Sequence, residues 1–159
     1  GDAPEGSKVA AALPPTAHYN SCVLEDSRMR AHLEHLHKTL QKMPALRDCV
    51  LLLKRWAQAR TFLPPKAGMS ALFTPLSGFC LSMLAAHASQ TSSLAPSSTS
   101  SFQIFKLAMS ALANTDWRTQ KLVLGKDLPV ALSDAEMRQG GAHFYDSDGF
   151  LNLFWRLGP

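Results

Sequence analysis

Asp146 and Asp148, one residue apart around Ser147, are the pairing that could most directly do chemistry, since two such carboxylates can hold a divalent metal for phosphoryl transfer. Enzymes that use the pair this way carry it on a strand, with a Gly-Ser turn upstream and a third acidic residue on another strand. Here the pair runs into Gly149, a composition that favours a tight turn, and almost no chain follows to supply a third carboxylate. The three residues read as the turn of a hairpin. His32, His35 and His37 crowd one predicted helix, and the first two, three residues apart, face the same side. Two imidazoles so placed could take zinc, but a structural site wants four ligands and no suitably spaced cysteine follows. A solvated helix face is the expectation for them.

The remaining candidate is electrostatic. Residues 1–27 set Lys8 against Asp2, Glu5, Glu25 and Asp26, a net charge of −3. Residues 28–66 set Arg28, Arg30, Lys38, Lys42, Arg47, Lys54, Arg55, Arg60 and Lys66 against Glu34 and Asp48, a net charge of +7, and residues 67–159 balance six bases with six acids. The basic excess of the whole chain (+4) therefore lives on one stretch. Lys54 and Arg55, with Arg47 and Arg60 a turn or two away, would place several cations along one ridge of a second helix, and Arg47, Lys54, Arg55, Arg60 and Lys66 are the candidate phosphate contacts. Such contacts give affinity and salt dependence without reading sequence. No aromatic residues interleave with these bases, so structured or duplex RNA backbone fits better than a single-strand stacking platform. A partner protein's acidic surface, or a solvated face that binds nothing in particular, are the alternatives.

Other chemistry finds little footing. Cys22, Cys49 and Cys80 are odd in number, widely spaced and never in a Cys-x-x-Cys pair, which points to a reducing compartment and to small apolar roles inside helices. The chain shows no Gly-x-Ser-x-Gly elbow, Walker loop, Gly-x-Gly-x-x-Gly fingerprint or His-Glu-x-x-His. A binding or scaffolding module is expected, with no catalytic residues, no metal site and no cofactor.

The elements that would position these residues are mostly helical. At 159 residues, about 17.3 kDa, 46% hydrophobic and 18% charged, the chain has the composition of one globular domain. No run approaches the ~18 apolar residues of a membrane span, and no membrane partner is expected. The opening residues lack a signal-peptide pattern and an initiator Met, so the chain reads as a piece of something longer. Residues 1–17, rich in Ala and Pro, read as a linker or extended arm, and residues 18–159 as a single helical module. A first helix is expected from about Cys22 to Lys42, capped by Asn20 or Ser21. Glu25 and Asp26 would lie in its first turn, with Met29, Leu33, Leu36, Leu40 and Met43 as its apolar stripe. Pro44 opens a second helix that runs to about Arg60 and buries Leu46, Cys49, Val50, Leu53, Trp56 and Ala57. The short join would make these two an antiparallel pair. A third is expected from about Leu76 to His87, with Thr74 as cap and the small Ser77-Gly78 pair allowing close packing. Ser89–Ser101, nine of whose thirteen residues are Ser or Thr, reads as an inserted flexible loop. A fourth helix, about Ser101 to Ala113, should bury Phe102, Phe105, Met109 and Leu112, with Asn114 as its stop. Leu122–Leu124 could form a short strand and Asp134–Arg138 a helical turn. His143–Asp146 and Phe150–Trp155 would flank the closing hairpin.

The order of these segments resembles the second domain of the nucleolar RNA-associated protein family, Nrap. Thr16-Ala17-His18-Tyr19-Asn20 followed by Leu24-Glu25-Asp26 is similar to the family's opening stretch, with Ala17 in place of a proline. Arg47-Asp48…Leu52-Leu53-Lys54-Arg55-Trp56-Ala57-Gln58-Ala59-Arg60 resembles its middle block. Gly78-Phe79…Ser82-Met83-Leu84, Ser100–Lys106, Leu112–Asp116 and Phe144–Gly149…Leu151-Asn152 follow in the same order. The likeness spans roughly Thr16 to Phe154, and the collinear set carries it, since each motif is short.

The resemblance implies a mainly α (α+β) fold, a helical bundle similar to the substrate-binding domain of poly(A) polymerase and oligoadenylate synthetase. It implies a nuclear, nucleolar protein of the small-subunit processome that acts in pre-ribosomal RNA processing, with a yeast member also implicated in tRNA export. The partners it implies are pre-ribosomal RNA or ribonucleoprotein, other processome proteins, and a preceding nucleotidyltransferase-like domain of the same parent chain. It further implies a scaffold rather than an active polymerase. The alternatives are the accessory substrate-binding domain of an active nucleotidyltransferase and a purely protein-docking module.

Overall fold

The computed structural model describes residues 17–60, 76–93 and 95–157. In chain order these form α1 (Ala17–Lys42), α2 (Ala45–Ala59), α3 (Gly78–Gln90), α4 (Ser101–Asn114), β1 (Gln120–Val123), β2 (Val130–Ala131), α5 (Asp134–Gln139) and β3 (Phe144–Tyr145). This is the expected mainly helical, α+β class.

The core is built round α3. Its thirteen residues carry no Asp, Glu, Lys or Arg, so it can be buried on every side. Cys80, Leu81, Met83, Leu84, Ala85, Ala86, His87, Ala88 and Ser89 are all buried. Ser77 caps it, its hydroxyl accepting from the Cys80 amide at 3.1 Å, and Thr74, the expected cap, lies outside the described residues. α2 brings Leu46, Cys49, Leu53 and Ala57 to the same core, with Val50 and Trp56 partly buried against it, as its period predicts. α4 contributes Ile104 and Ala108. Phe102 does not join them: it is 60% exposed and stacks on Phe105 at 6.1 Å, because the buried face of α4 is centred on Ile104, about 160° round the helix. The core is therefore clasped by α2, α3 and α4. α4 starts at the expected place, on a reciprocal cap between Ser100 and Gln103. In the Ser-rich connection, the hydroxyls of Thr91, Ser92 and Thr99 donate to the carbonyls of His87, Ser89 and Ala95.

α1 departs most from expectation. It begins at Ala17, so Asn20 and Ser21 lie inside it and Glu25 and Asp26 fall beyond its first turn. The predicted apolar stripe is only half used: Leu36 and Met43 pack inward, but Leu33 is 55% exposed and Leu40 is exposed as well. The residues turned inward are Glu25, His32, Thr39 and Met43, a stripe with three polar members. Each of the three has a partner elsewhere, which is what allows its burial.

The sheet has the order β2-β1-β3, with β1 antiparallel to β2 (Gln120 opposite Ala131) and parallel to β3 (Leu122 opposite Phe144). No sequence signal announces β2. The closing hairpin is present only as a bridge between Tyr145 and Asn152, with Asp146 N–H on the Leu151 carbonyl at 3.0 Å. Its second limb is not a strand because the Asn152 side chain replaces the ladder. Asn152 Oδ1 accepts from the amides of Phe144 and Phe154, both at 3.0 Å, and its Nδ2 donates to the Ala142 carbonyl. Phe144, Leu153 and Phe154 from this segment close the core from below α3.

Candidate nucleic-acid interface

α2 sets where its cations can point. At about 100° per residue, Arg47 and Lys54 share one flank while Arg55 stands about 100° further round. Arg47 is exposed beside Leu51. Lys54 is half-buried, its stem laid across the first turn of α3, where an added methyl group on Gly78 would meet Lys54 Cε at 3.1 Å. That contact is the close packing that Ser77-Gly78 was expected to allow. Arg55 is exposed. Asp48 lies on the same line two turns earlier, a rise of about 10 Å, which is beyond effective neutralisation at physiological salt. Arg60 follows the last turn, exposed, with its amide on the Trp56 carbonyl. Lys66 lies outside the described residues. The four described cations thus spread over two flanks and one end of α2, and only Arg47 and Lys54 form a single ridge.

Lys38 and Lys42 are exposed on the last two turns of α1. From Lys38 to Arg60 the chain holds six bases (Lys38, Lys42, Arg47, Lys54, Arg55, Arg60) and one acid, Asp48. The basic excess therefore occupies the second half of α1 and the whole of α2.

The acidic turn is committed elsewhere. Asp146 is 1% exposed; its Oδ1 accepts from the amides of Phe150 (2.9 Å) and Leu151 (3.2 Å), and its Oδ2 from Arg28 Nε at 2.6 Å. His32 Nε2 approaches the same oxygen at 3.4 Å. Arg28 also binds Asp148 through Nη2 and lies 5.5 Å from the centre of the Phe150 ring. Asp146 to Gly149 is a hydrogen-bonded turn, as read from the sequence, with Gly149 at φ 77°. Both carboxylates that could have met a metal already share one guanidinium, and among the described residues no cluster of three or more His, Cys, Asp or Glu is arranged to hold an ion. Arg28 is a residue that sequence reasoning missed. Its partners lie 118 and 120 positions away, and no local pattern signals them.

The histidines separate. His32 is buried and packs on Phe79 at 5.6 Å, which corrects its expected solvated place; Asp146 is what makes burial tolerable. His35 is half-buried with Nε2 at 2.9 Å from the Gln90 amide nitrogen, and His37 is exposed beside Gln41. Glu25 completes the inner stripe of α1, accepting from Trp155 Nε1 at 3.1 Å and pairing with Arg156 at 2.8 Å. Cys49 and Cys80 are the small buried residues that their context predicts, and burial pushes the Cys49 thiol up to about 12.

Comparison with known proteins agrees with this architecture. A family model described as the Nrap protein PAP/OAS-like domain matches residues 45–159. Nucleolar protein 6 of Homo sapiens is 32% identical over 143 residues, covering 88% of this chain and 12% of that protein. Nucleolar protein 6 of Drosophila willistoni is 35% identical over 105 residues (66% of this chain, 8% of that protein), and that of Mus musculus 30% over 142 residues (88% and 12%). The chain thus spans about a tenth of the length of the curated relatives it matches.

Proposed function

The chain belongs to the Nrap family of nucleolar proteins, and on that premise we propose that it is a non-catalytic, RNA-associated scaffold domain of the small-subunit processome, acting in pre-ribosomal RNA processing. The observation that carries the RNA reading is the stretch from Lys38 to Arg60, six bases on two helices with Asp48 as the one acid. A concentration of that kind attracts phosphates and fixes orientation without reading bases. The scaffold reading draws on the acidic turn, whose two carboxylates are spent on holding α1 to the chain's last segment. Pre-ribosomal RNA, other processome proteins and a nucleotidyltransferase-like domain of the same parent chain are its proposed partners.

The test is equilibrium binding of the chain to a structured RNA across a salt series. Arg47→Glu with Arg55→Glu replaces two exposed cations of α2. The double variant should bind more weakly and show a slope of log affinity against log salt that is shallower by about 1.5, near 0.7–0.9 for each phosphate no longer neutralised. Unchanged binding removes α2 from the interface.

A protein-docking role is the second reading, and a specific feature favours it. Leu36, Leu40, Leu46, Val50 and Leu51 line an apolar groove of about 170 Å³ between α1 and α2, edged by Arg47. Saturable, salt-insensitive binding to a processome subunit without RNA would establish that role in place of the first.

A further inference from the structure

A second hollow lies on the other side of α1, between its last two turns and the end of α3. It encloses about 280 Å³, and none of its lining residues carries a carboxylate. Lys38 and Lys42 stand on one wall, four residues apart and so on the same side of the helix, a spacing at which like charges repel. Their place near the helix C-terminus explains why a cation is tolerated there; it does not explain why both border a hollow that no carboxylate lines. The carboxylate one turn before Lys38, Glu34, is engaged by Arg30 at 3.0 Å. Behind the lysines, the Gln90 amide nitrogen bridges His35 Nε2 at 2.9 Å and Thr39 Oγ1 at 3.0 Å, so its position is set by two partners from α1. His35 registers the local field. Burial is the main cause that lowers its pKa, and the charges of His32, Lys38 and Lys42 lower it further.

From this arrangement we propose that the hollow seats a backbone phosphate of RNA, gripped by Lys38 and Lys42. The inference rests on the RNA reading above and names a place of contact outside α2. Size sets the ligand: small-molecule pockets run to roughly 300–1,000 Å³, and this one, just under that range, suits a phosphodiester with part of its ribose rather than a whole nucleotide. Met43 and Pro96 give the sugar an apolar surface. The two lysines are continuous in the chain with the cations of α2.

The test compares the 159-residue chain with Lys38→Glu/Lys42→Glu and, should that variant lose its helical circular dichroism, with Lys38→Gln/Lys42→Gln. Anisotropy of a labelled RNA hairpin is read across a salt series, and the His35 imidazole is titrated by NMR with and without RNA, and with inorganic phosphate alone. The expected result is at least a tenfold loss of affinity at about 0.1 M salt and a slope smaller by about 1.5, near 0.7–0.9 for each of two phosphate contacts. RNA should raise the His35 pKa in the parent chain and leave it in place in the variant. If parent and variant bind RNA equally well, the phosphate seat is overturned and the RNA reading stands. If the parent chain binds no RNA even at low salt, the RNA reading falls and takes the seat with it. If inorganic phosphate alone moves His35 while no RNA binds, the hollow is a small-anion pocket and the RNA assignment is overturned.

Discussion

Arg28 Nε lies 2.6 Å from the buried Oδ2 of Asp146, joining the first helix to a turn 118 residues later in the chain. The contact decides the position of α1. It converts the acidic turn from a candidate metal ligand into the anchor of a helix whose inward face is polar. Glu25 with Arg156, and Thr39 with Gln90, repeat the device one or more turns to either side.

Asp146→Ala should therefore cost far more than its small side chain implies. It leaves His32 without its anion, Arg28 with Asp148 alone, and two backbone amides without an acceptor, a loss on the order of 3–5 kcal/mol. Urea unfolding of the variant measures it. A loss below about 1 kcal/mol would mean that α1 is held by its apolar contacts alone.

α4 offers a test of helix register. Ile104→Ala should destabilise by about 2–5 kcal/mol, because Ile104 is fully buried, whereas Phe102→Ala should cost under about 1 kcal/mol despite removing a larger group. Thermal melts of the two variants side by side give the order, and the reverse order would place the buried face where local periodicity puts it.

Acid should release α5 from the sheet. Burial pushes the Glu136 carboxyl up, but hydrogen bonds from Lys121 (2.6 Å) and from the Ser133 amide and hydroxyl outweigh it and bring it down to about 2. A carboxyl depressed below its ordinary 4.5 contributes stability that is full above that pH and lost as pH falls from 4.5 toward 2. Glu136→Gln should flatten the stability profile in that window and leave it parallel to the parent above about pH 5. A variant profile that keeps the parent's slope between 4.5 and 2 would assign the acid sensitivity to other groups.

Thiol reactivity should follow burial. Cys49 and Cys80 are enclosed, with Cys80 Sγ donating to the Leu153 carbonyl at 2.9 Å, while Cys22 is partly exposed. At about pH 8 a disulfide reagent should modify Cys22 first, and the other two only as the chain unfolds. Rapid modification of all three in the folded chain would contradict the packing of α2 on α3.

How much of this was legible follows from where each residue's partner sits. α2 was readable because Leu46, Cys49, Leu53 and Ala57 face a core that any apolar stripe would seek. The turn at Asp146–Gly149 was readable because its chemistry is local. α1 misled, since Leu33 and Leu40 make a good stripe on paper while Glu25, Arg28 and His32 are turned inward by partners more than a hundred residues away. Local periodicity carries no trace of such partners. The same limit hid Asn152, whose side chain stands in for a strand. The cations from Arg47 to Arg60 read as one ridge, although about 100° per residue sets Arg55 apart from Arg47 and Lys54. The structure spreads the six cations from Lys38 to Arg60 over two flanks and one end of α2 and one side of α1.

RNA contact through that basic stretch is tested residue by residue when the 159-residue chain is photocrosslinked to thiouridine-substituted structured RNA and the adducts are mapped by mass spectrometry. Adducts should concentrate on peptides that contain Lys38, Lys42, Arg47 and Arg55, and should be competed away by rising salt. Adducts confined to the sheet and α5, or none at low salt, would contradict RNA contact by these two helices.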